Sequence, residues 1–201
     1  MGSDRGAESL GIADDHPQRY RNVIDTEIAT RVDFAEGAVH GPDGSADDLA
    51  AASADYERKI VGAGGIDLQI LGIGTDGHVA FNEPGSSLAS RTRVKSLTQQ
   101  TRMDNARFFD GDVEQVPKLC LTQGMGTIME AKHLVLVATG GNKAEAVHQM
   151  IEGPISAMWP ATVLQMHQHV TVLLDEAAAS RLQLGDYYRH AYENKPEWQN
   201  L

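Results

Sequence analysis

The sequence contains only one cysteine, Cys120, and the lack of a second thiol excludes a disulfide within the chain. It also lacks a signal peptide and any apolar run long enough to cross a bilayer. We therefore expect a cytoplasmic protein with no membrane partner. Cys120 lies in the segment KLCLTQG, which favours a buried structural thiol over a nucleophile.

Basic residues are scarce, since 17 Lys and Arg stand against 28 Asp and Glu and give a net charge of −11. This charge argues against nucleic acid or an anionic membrane surface as the main partner. It does not exclude a phosphorylated small molecule, which a few local cations can bind. With 201 residues, 41% of them hydrophobic, the chain can form one domain over residues 1–201. Residues 1–9 are polar and aperiodic, and we expect them to be disordered.

Residues 66–84, IDLQILGIGTDGHVAFNEP, organise the rest of the chain. Their apolar part, 68–73, predicts a strand buried on both faces of a parallel sheet. Asp76, His78 and Glu83 follow this strand, and open α/β sheets keep their sites at the carboxyl ends of strands. A histidine between two carboxylates suits proton transfer near neutral pH, so a catalytic site is predicted here. The alternative is a Gly-rich turn that carries surface charges.

A second candidate site follows the next apolar strand, residues 134–138. This strand ends in TGGNK, residues 139–143, and runs into a helical pattern over residues 144–151. The Gly-rich turn, the helix start and Lys143 predict an anion site, because backbone N–H groups and the helix dipole would point at the anion.

The segment 86–104 is rich in serine, threonine and basic side chains, which is unusual in so acidic a chain. Two interpretations stay open for it: a solvated loop with a strand edge, or an anion-binding surface. Its basic residues are Arg91, Arg93, Lys95 and Arg102.

Alternation of strands and helices predicts the fold class. A third apolar strand covers residues 170–174, and helical patterns occur at 20–28, 46–61 and 185–194. Such an order predicts an α/β fold, a Rossmann-like and mainly parallel sheet with helices on both faces. Ser45 and Asp48 predict a capping box at the start of the second helix.

Residues 71–98, LGIGTDGHVAFNEPGSSLASRTRVKSLT, strongly resemble the signature of glucosamine-6-phosphate deaminases. The similarity continues through ARFFDGDVEQVPKLCLTQGMGT and TGGNKA and covers nearly the whole chain from about Leu10 onward. The resemblance implies a hydrolase of amino-sugar metabolism, active in N-acetylglucosamine catabolism. It would convert glucosamine 6-phosphate and water to fructose 6-phosphate and ammonia. No metal and no organic cofactor is implied.

The resemblance also implies roles for single residues. His78 matches the histidine that opens the pyranose ring, and Asp76 and Glu83 match the carboxylates that orient and tune it. Arg107 and Lys143 match the contacts to the substrate phosphate, in agreement with the anion site predicted at the TGGNK turn.

Three further positions match an allosteric site. In the allosteric family members, residues matching Ser86, Arg93 and Lys95 bind a phosphorylated acetylated sugar between subunits. Members are commonly hexamers. The resemblance thus implies a homo-oligomer with N-acetylglucosamine 6-phosphate as its effector.

One departure from the family concerns the start of the chain. Members carry about one further third of a chain on the N-terminal side, resembling a βαβ unit with a Gly-rich phosphate loop, so we expect this sequence to be N-terminally truncated. Their Asp-Glu-Tyr segment, whose Asp takes the C2 proton, is matched here by Ala7, Glu8 and Ser9. Glu8 could replace that base, although its register is wrong by one residue.

Three functions therefore stay open. The first is a glucosamine-6-phosphate deaminase. The second is a catalytically impaired remnant that binds sugar phosphate or joins hexamers of a full-length copy. The third is a sugar-phosphate lactonase, because lactonases of the same broad fold share a Gly-x-Asp-Gly-His core. The Asn82-Glu83-Pro84 sequence argues against this last function.

Overall fold

The computed structural model describes residues 3–4 and 7–199 and has the α/β fold that the sequence predicts. Its strands are β1 (Ser3–Asp4), β2 (Ala7–Ser9), β3 (Val39–His40), β4 (Leu68–Leu71), β5 (Arg93–Ser96), β6 (Leu119–Thr122), β7 (His133–Ala138) and β8 (Val170–Leu174). Its α-helices are α1 (Tyr20–Glu27), α2 (Leu49–Gly62), α3 (Gln99–Asn105), α4 (Met125–Met129), α5 (Ala144–Glu152) and α6 (Gly185–Glu193). Short 3₁₀ helices cover Ala29–Arg31, Ala106–Phe108, Val113–Gln115, Gly141–Lys143 and Pro160–Met166. Across the described residues, no helix is both long and apolar enough to cross a membrane.

The strands form three sheets. A parallel sheet has the order β4-β7-β8, with Leu71 opposite Leu136 and Leu136 opposite Val172. An antiparallel sheet has the order β2-β6-β5, and β1 pairs with β3 in parallel. The three predicted parallel strands are thereby confirmed. The antiparallel sheet was not predicted, because its outer strands are short and polar and show no hydrophobic pattern.

One face of the parallel sheet packs on the hydrophobic core. Leu134, Leu136 and Ala138 point into it and meet α4, α5 and the Pro160–Met166 segment. Side chains alternate between the faces of a strand, and the other face is open to solvent among the described residues. Leu68 is 53% exposed and Ile70 is 69% exposed. The prediction of a strand buried on both faces at residues 68–73 is therefore wrong.

The prediction of disorder at residues 1–9 is wrong for the part that the structure describes. Ala7–Ser9 form β2, in which Glu8 lies opposite Leu121 and Ser9 opposite Cys120. Ser3–Asp4 form β1, whereas residues 1–2 and 5–6 lie outside the described residues. Cys120 is fully buried as predicted, and burial is the main cause that raises the pKa of its thiol to about 12.

Helix α2 begins three residues later than predicted, at Leu49. Asp48 is its N-cap, and the Asp48 side chain accepts a hydrogen bond of 2.9 Å from the N–H of Ala51. The predicted capping box is wrong, because the hydroxyl of Ser45 instead donates to the Asp14 carboxylate at 2.9 Å. Asp14, which lies outside the helix and its cap, is thus the hydrogen-bond partner of the Ser45 hydroxyl.

Glu8 is buried and its carboxylate caps helix α1. One carboxylate oxygen accepts the N–H of Tyr20 at 3.1 Å, and the other accepts the N–H of Arg21 at 3.1 Å. The N–H of Ser9 donates to the same carboxylate at 3.0 Å, and the Arg19 guanidinium lies 3.7 Å away. The first N–H groups of a helix have no intrahelical acceptor, so this carboxylate satisfies two of them and complements the helix dipole.

Replacing Glu8 with alanine is expected to lower the free energy of unfolding by about 1–3 kcal/mol, because two helix N–H groups lose their acceptor and the partly buried Arg19 loses its counter-ion. Urea unfolding followed by circular dichroism measures the change. Glu8→Gln, which keeps an acceptor oxygen of the same reach, should lose less. Equal losses in the two variants would contradict a capping role.

Candidate active site

The loop after β4 is shaped by glycines that hold His78. The N–H of Gly74 donates to the carbonyl of His78 at 2.8 Å, and the N–H of Gly77 donates to the carbonyl of Gly74 at 3.0 Å. Gly77 has a φ of 78°, in the left-handed region that favours glycine. A Cβ on Gly74 would overlap the imidazole ring of His78. The glycines of the Gly-x-Asp-Gly-His pattern thus leave space for the His78 side chain and fix its position.

Asp76, His78 and Glu83 come together as the sequence predicted. His78 Nδ1 lies 2.7 Å from Asp76 Oδ1 and 3.7 Å from Glu83 Oε2. The backbone N–H of His78 also donates to Asp76 Oδ1 at 3.2 Å. Both carboxylates therefore face Nδ1. His78 Nε2 has no hydrogen-bond partner among the described residues, so this nitrogen is the one available to a substrate.

The pKa values of the two carboxylates are shifted in opposite directions. Burial acts to raise the pKa of Asp76, but the hydrogen bonds and charge of His78 outweigh it and lower that pKa to about 2. Burial raises the pKa of Glu83, with the Asp76 charge adding to it and hydrogen bonds from Thr101 and Thr98 opposing it. Environments that separate two pKa values in this way assign different roles to the two groups. Asp76 is suited to stay ionised and orient His78, whereas Glu83 holds a proton more readily than an ordinary carboxyl group does.

Glu83 also connects the site to helix α3. The N–H of Thr98, the N-cap of α3, donates to Glu83 Oε1 at 3.1 Å. The Thr98 hydroxyl in turn accepts the N–H of Thr101 at 3.1 Å. The opposite end of α3 leads directly into the 3₁₀ helix that carries Arg107. The loop that carries Glu83 and the predicted phosphate contact Arg107 are therefore joined by one short helix.

Asn82 is a residue of the site that the sequence analysis did not single out. Its side chain is fully buried, and its amide nitrogen donates to the carbonyls of Val79 at 3.0 Å and Gln123 at 2.9 Å. Its amide oxygen accepts a hydrogen bond of 2.9 Å from Arg93. These contacts fix the loop that carries Glu83. The Asn-Glu-Pro motif was a usable signal, since a buried asparagine needs partners on both sides of its amide.

Lys143 is close enough to Arg107 for the two charges to interact. Burial lowers the pKa of Lys143, the Arg107 charge lowers it further, and the charges of Asp104 and Asp76 act in the opposite direction. The two predicted phosphate contacts thus share an electrostatic environment with Asp76. Asp104 is a further acidic neighbour, held by a 2.8 Å hydrogen bond from Gln100.

The TGGNK turn itself differs from the predicted backbone anion site. The N–H of Gly140 donates to both oxygens of the Asp175 carboxylate, at 2.9 and 3.1 Å. The same carboxylate accepts the N–H of Ala178 at 2.7 Å. A residue 35 positions away thus already fills the place of an anion at Gly140. Of the predicted anion contacts in this turn, the Lys143 side chain stays available to a ligand.

The basic residues of segment 86–104 mostly have internal partners. Arg91 pairs with Glu57 at 2.8 Å and with Glu130 at 2.6 Å. Arg102 is buried and donates to the carbonyl of Val113 at 2.6 Å. These contacts favour structural roles for both residues over an anion-binding surface.

The predicted allosteric residues occupy two places. Arg93 and Lys95 lie on the same face of β5, and burial lowers the pKa of Arg93. Ser86 lies in the turn after Glu83, where its N–H donates to the Glu83 carbonyl at 3.0 Å. Ser86 Oγ and Arg93 Nη2 are buried and have no hydrogen-bond partner among the described residues. No hydrogen bond within that part of the chain joins Ser86 to Arg93 or Lys95.

A family model and the sequences of known proteins both match this chain, and they point to the same family. The family model described as glucosamine-6-phosphate isomerases/6-phosphogluconolactonase matches residues 11–173. Glucosamine-6-phosphate deaminases of Mycolicibacterium smegmatis and Beutenbergia cavernae are 72% and 69% identical over 194 residues. Each alignment covers 96% of this chain and 74% of the relative.

Solved structures agree with this. A monomeric glucosamine-6-phosphate deaminase is 41% identical, with a TM-score of 0.86, over 90% of this chain and 74% of its own. A 6-phosphogluconolactonase from Trypanosoma cruzi is 24% identical, with a TM-score of 0.67, over 89% of this chain and 71% of its own. The second likeness shows the fold alone. By the family match and these identities, the chain belongs to the glucosamine-6-phosphate isomerase/6-phosphogluconolactonase family.

Proposed function

We propose that this protein is a glucosamine-6-phosphate deaminase of amino-sugar catabolism. Its reaction converts glucosamine 6-phosphate and water to fructose 6-phosphate and ammonia, which makes it a hydrolase that isomerises its substrate. The observation that carries the proposal is His78, held at Nδ1 by two carboxylates with its Nε2 available. Relatives with the printed name glucosamine-6-phosphate deaminase support the choice of substrate.

The first chemical step is opening of the pyranose ring. The bond between C1 and the ring oxygen breaks, the ring oxygen gains a proton, and the C1 hydroxyl loses one to become a carbonyl. One group that both gives and takes a proton can serve both ends of this step. His78 Nε2 is that group. Asp76 keeps the imidazole ring of His78 oriented, and Glu83 stabilises the imidazolium when it forms.

The second step removes a proton from C2 and adds one at C1, which turns the open-chain amino aldose into a ketose imine at C2. Water then adds to this imine and ammonia leaves. The position matching the family's base is Ala7, which has no titratable group. Glu8 does not replace it, because its carboxylate accepts the N–H groups of Tyr20 and Arg21. This observation favours a second candidate function: binding and ring opening of a sugar phosphate, with slow deamination.

Two measurements on the purified chain test the proposal together. Exchange between the α and β anomers of glucosamine 6-phosphate, followed by NMR, reports ring opening alone. Ammonia release reports the complete reaction. We expect clear acceleration of anomer exchange and weak ammonia release. Hydrolysis of 6-phosphogluconolactone without either activity would instead establish the lactonase alternative.

Arg107 and Lys143 are proposed to bind the substrate phosphate. Replacing either with alanine should weaken binding of fructose 6-phosphate by about 1.5–3 kcal/mol, or roughly 10- to 150-fold, as loss of a charged hydrogen bond does. Isothermal titration calorimetry measures this change. Arg91→Ala is the matched control, since Arg91 is occupied by Glu57 and Glu130. Wild-type affinity in both the Arg107 and Lys143 variants would show that the phosphate binds elsewhere.

We also propose that N-acetylglucosamine 6-phosphate binds at Ser86, Arg93 and Lys95 as an effector of a homo-oligomer, a hexamer by resemblance. The buried and unpartnered atoms Ser86 Oγ and Arg93 Nη2 support a ligand there, since such atoms are rarely left without a partner. Sedimentation of the chain with and without this sugar phosphate tests both parts. A monomer that does not bind the sugar phosphate would overturn both.

A further inference from the structure

The three residues of the candidate active site have a property that proton transfer does not require. Their possible ligand atoms, one nitrogen and two carboxylate oxygens, all lie within 4.8 Å of one another. Within the range that the structure describes, no other group of three or more His, Cys, Asp or Glu side chains is arranged in this way. Three donors that converge from one loop can surround a cation.

The spacing of these atoms fits a small tetrahedral ion. Zinc binds nitrogen and oxygen at about 2.0–2.2 Å, which places neighbouring ligand atoms roughly 3.3 Å apart. His78 Nδ1 lies 2.7 Å from Asp76 Oδ1 and 3.7 Å from Glu83 Oε2. The two observed distances lie on either side of that value. Shifts of about 0.6 Å or less would bring these two pairs to that spacing. The third pair, the ligand oxygens of Asp76 and Glu83, lies within 4.8 Å.

The donor set selects the class of ion. Imidazole nitrogen and carboxylate oxygen both bind zinc, and zinc sites with three protein ligands keep water in the fourth position. Calcium requires six or more oxygen ligands, and magnesium an octahedron that retains several waters. Three donors with one nitrogen among them therefore favour zinc and similar transition ions over both hard cations.

The cluster is both supported and accessible. Glu83 has a side chain only 3% exposed and is fixed by the N–H of Thr98 at 3.1 Å. The side chains of His78 and Asp76 are 15% and 23% exposed, so an ion can enter from the solvent side. A buried, hydrogen-bonded carboxylate beneath two accessible ligands is the arrangement that orients a metal site.

We propose that Asp76, His78 and Glu83 bind Zn²⁺ or a similar divalent transition ion, and that the bound ion inhibits the protein. The ion takes the lone pair of His78 Nδ1 and replaces the hydrogen bond to Asp76. In the neutral imidazole the ring proton then resides on Nε2. No electron is transferred, and the ring can no longer accept a proton from substrate while the ion is bound.

The test is calorimetric titration of the purified chain with zinc chloride in a buffer that does not bind metals. One equivalent of Zn²⁺ should bind per chain, raise the melting temperature, and slow anomer exchange of glucosamine 6-phosphate. Magnesium chloride should do none of these. Cobalt(II) should give the visible absorption of a tetrahedral site. Calorimetry and absorption require no turnover, so the inference can be judged even if the proposed function is wrong.

Variants locate the ion. His78→Gln and Glu83→Gln should each weaken zinc binding at least about 100-fold, because each alters one of three protein ligands. His148→Gln is the matched control, since His148 Nδ1 lies 2.8 Å from Glu152 Oε2 with no third ligand. Its zinc affinity should equal that of the wild type.

Specific results would overturn the inference. They are absence of zinc binding to the wild-type chain, unchanged binding in both site variants, or loss of binding in His148→Gln. Far-UV circular dichroism establishes whether each variant is folded. Should both site variants be unfolded, Asp76→Asn provides the same comparison, and unchanged zinc affinity in it would count against the site.

Discussion

Replacing Ala7 with aspartate is expected to raise the rate of ammonia release from glucosamine 6-phosphate by roughly 10²- to 10⁴-fold, the usual contribution of a positioned general base. The resemblance to the family places the base for the C2 proton at this position. Ring opening by His78 is already provided for in the proposed mechanism. A single carboxylate would then supply the base that this step lacks in the proposed mechanism.

The register of the antiparallel sheet explains why position 7 can reach the site. Ala7 lies opposite Thr122 of β6, and Arg93 of β5 lies opposite the same residue. Side chains directly opposite each other share one face of a sheet. On that face Thr122 Oγ1 accepts the N–H of Phe81 at 3.1 Å, and Arg93 donates to Asn82. An aspartate at position 7 would therefore face the loop that leads to Glu83.

Two controls separate a catalytic base from other effects. Ala7→Asn has nearly the same shape but cannot take a proton, so it should leave ammonia release unchanged. Glu8→Asp keeps a carboxylate on the opposite face of β2 and should add no activity. If the wild-type chain already releases ammonia as fast as Ala7→Asp, position 7 does not supply the base.

The second large effect is expected at His78. His78→Gln should lower the rate at which the chain accelerates anomer exchange of glucosamine 6-phosphate by roughly 100-fold or more, as loss of a general acid/base does. Glutamine keeps a hydrogen-bonding group near Asp76 but cannot carry the proton. NMR exchange spectroscopy measures this step even where deamination is slow.

A binding measurement distinguishes catalysis from collapse of the site. His78→Gln should bind fructose 6-phosphate with nearly wild-type affinity, because the proposed phosphate contacts, Arg107 and Lys143, are unchanged. His133→Gln is the control histidine, since His133 Nε2 lies 2.9 Å from Thr171 Oγ1, outside the site. Anomer exchange within a few-fold of wild type in His78→Gln would remove this residue from the mechanism.

Local patterns in the sequence were sufficient for the parallel strands and for the three catalytic candidates. Runs of branched apolar residues predicted β4, β7 and β8, and the pairing of these strands in parallel is confirmed. Asp76, His78 and Glu83 lie within eight residues of one another. Their convergence needs only one loop with glycines at the required turns. A group of side chains that lies within one loop can therefore be predicted from the sequence alone.

The tertiary structure decided which charged residues are available. Glu8 was a possible base from sequence, yet its partners Tyr20 and Arg21 lie 12 and 13 residues away. Arg91 was a possible anion contact, yet it pairs with Glu57 and Glu130 on other elements. Glu8 is buried, and a buried charge is stable only when a partner compensates for its lost hydration. That partner is brought by packing, so composition and spacing alone could not identify it.

The exposure of the parallel sheet was likewise a tertiary result. Leu68 and Ile70 belong to a run that reads as fully buried, but they face solvent among the described residues. An apolar strand sequence shows that its side chains are able to be buried. Whether they are buried depends on the elements that cover each face of the sheet. The sequence by itself determined the strand, the turn and the grouping of Asp76, His78 and Glu83 in one loop. Packing determined which face is covered and which carboxylates are free to react.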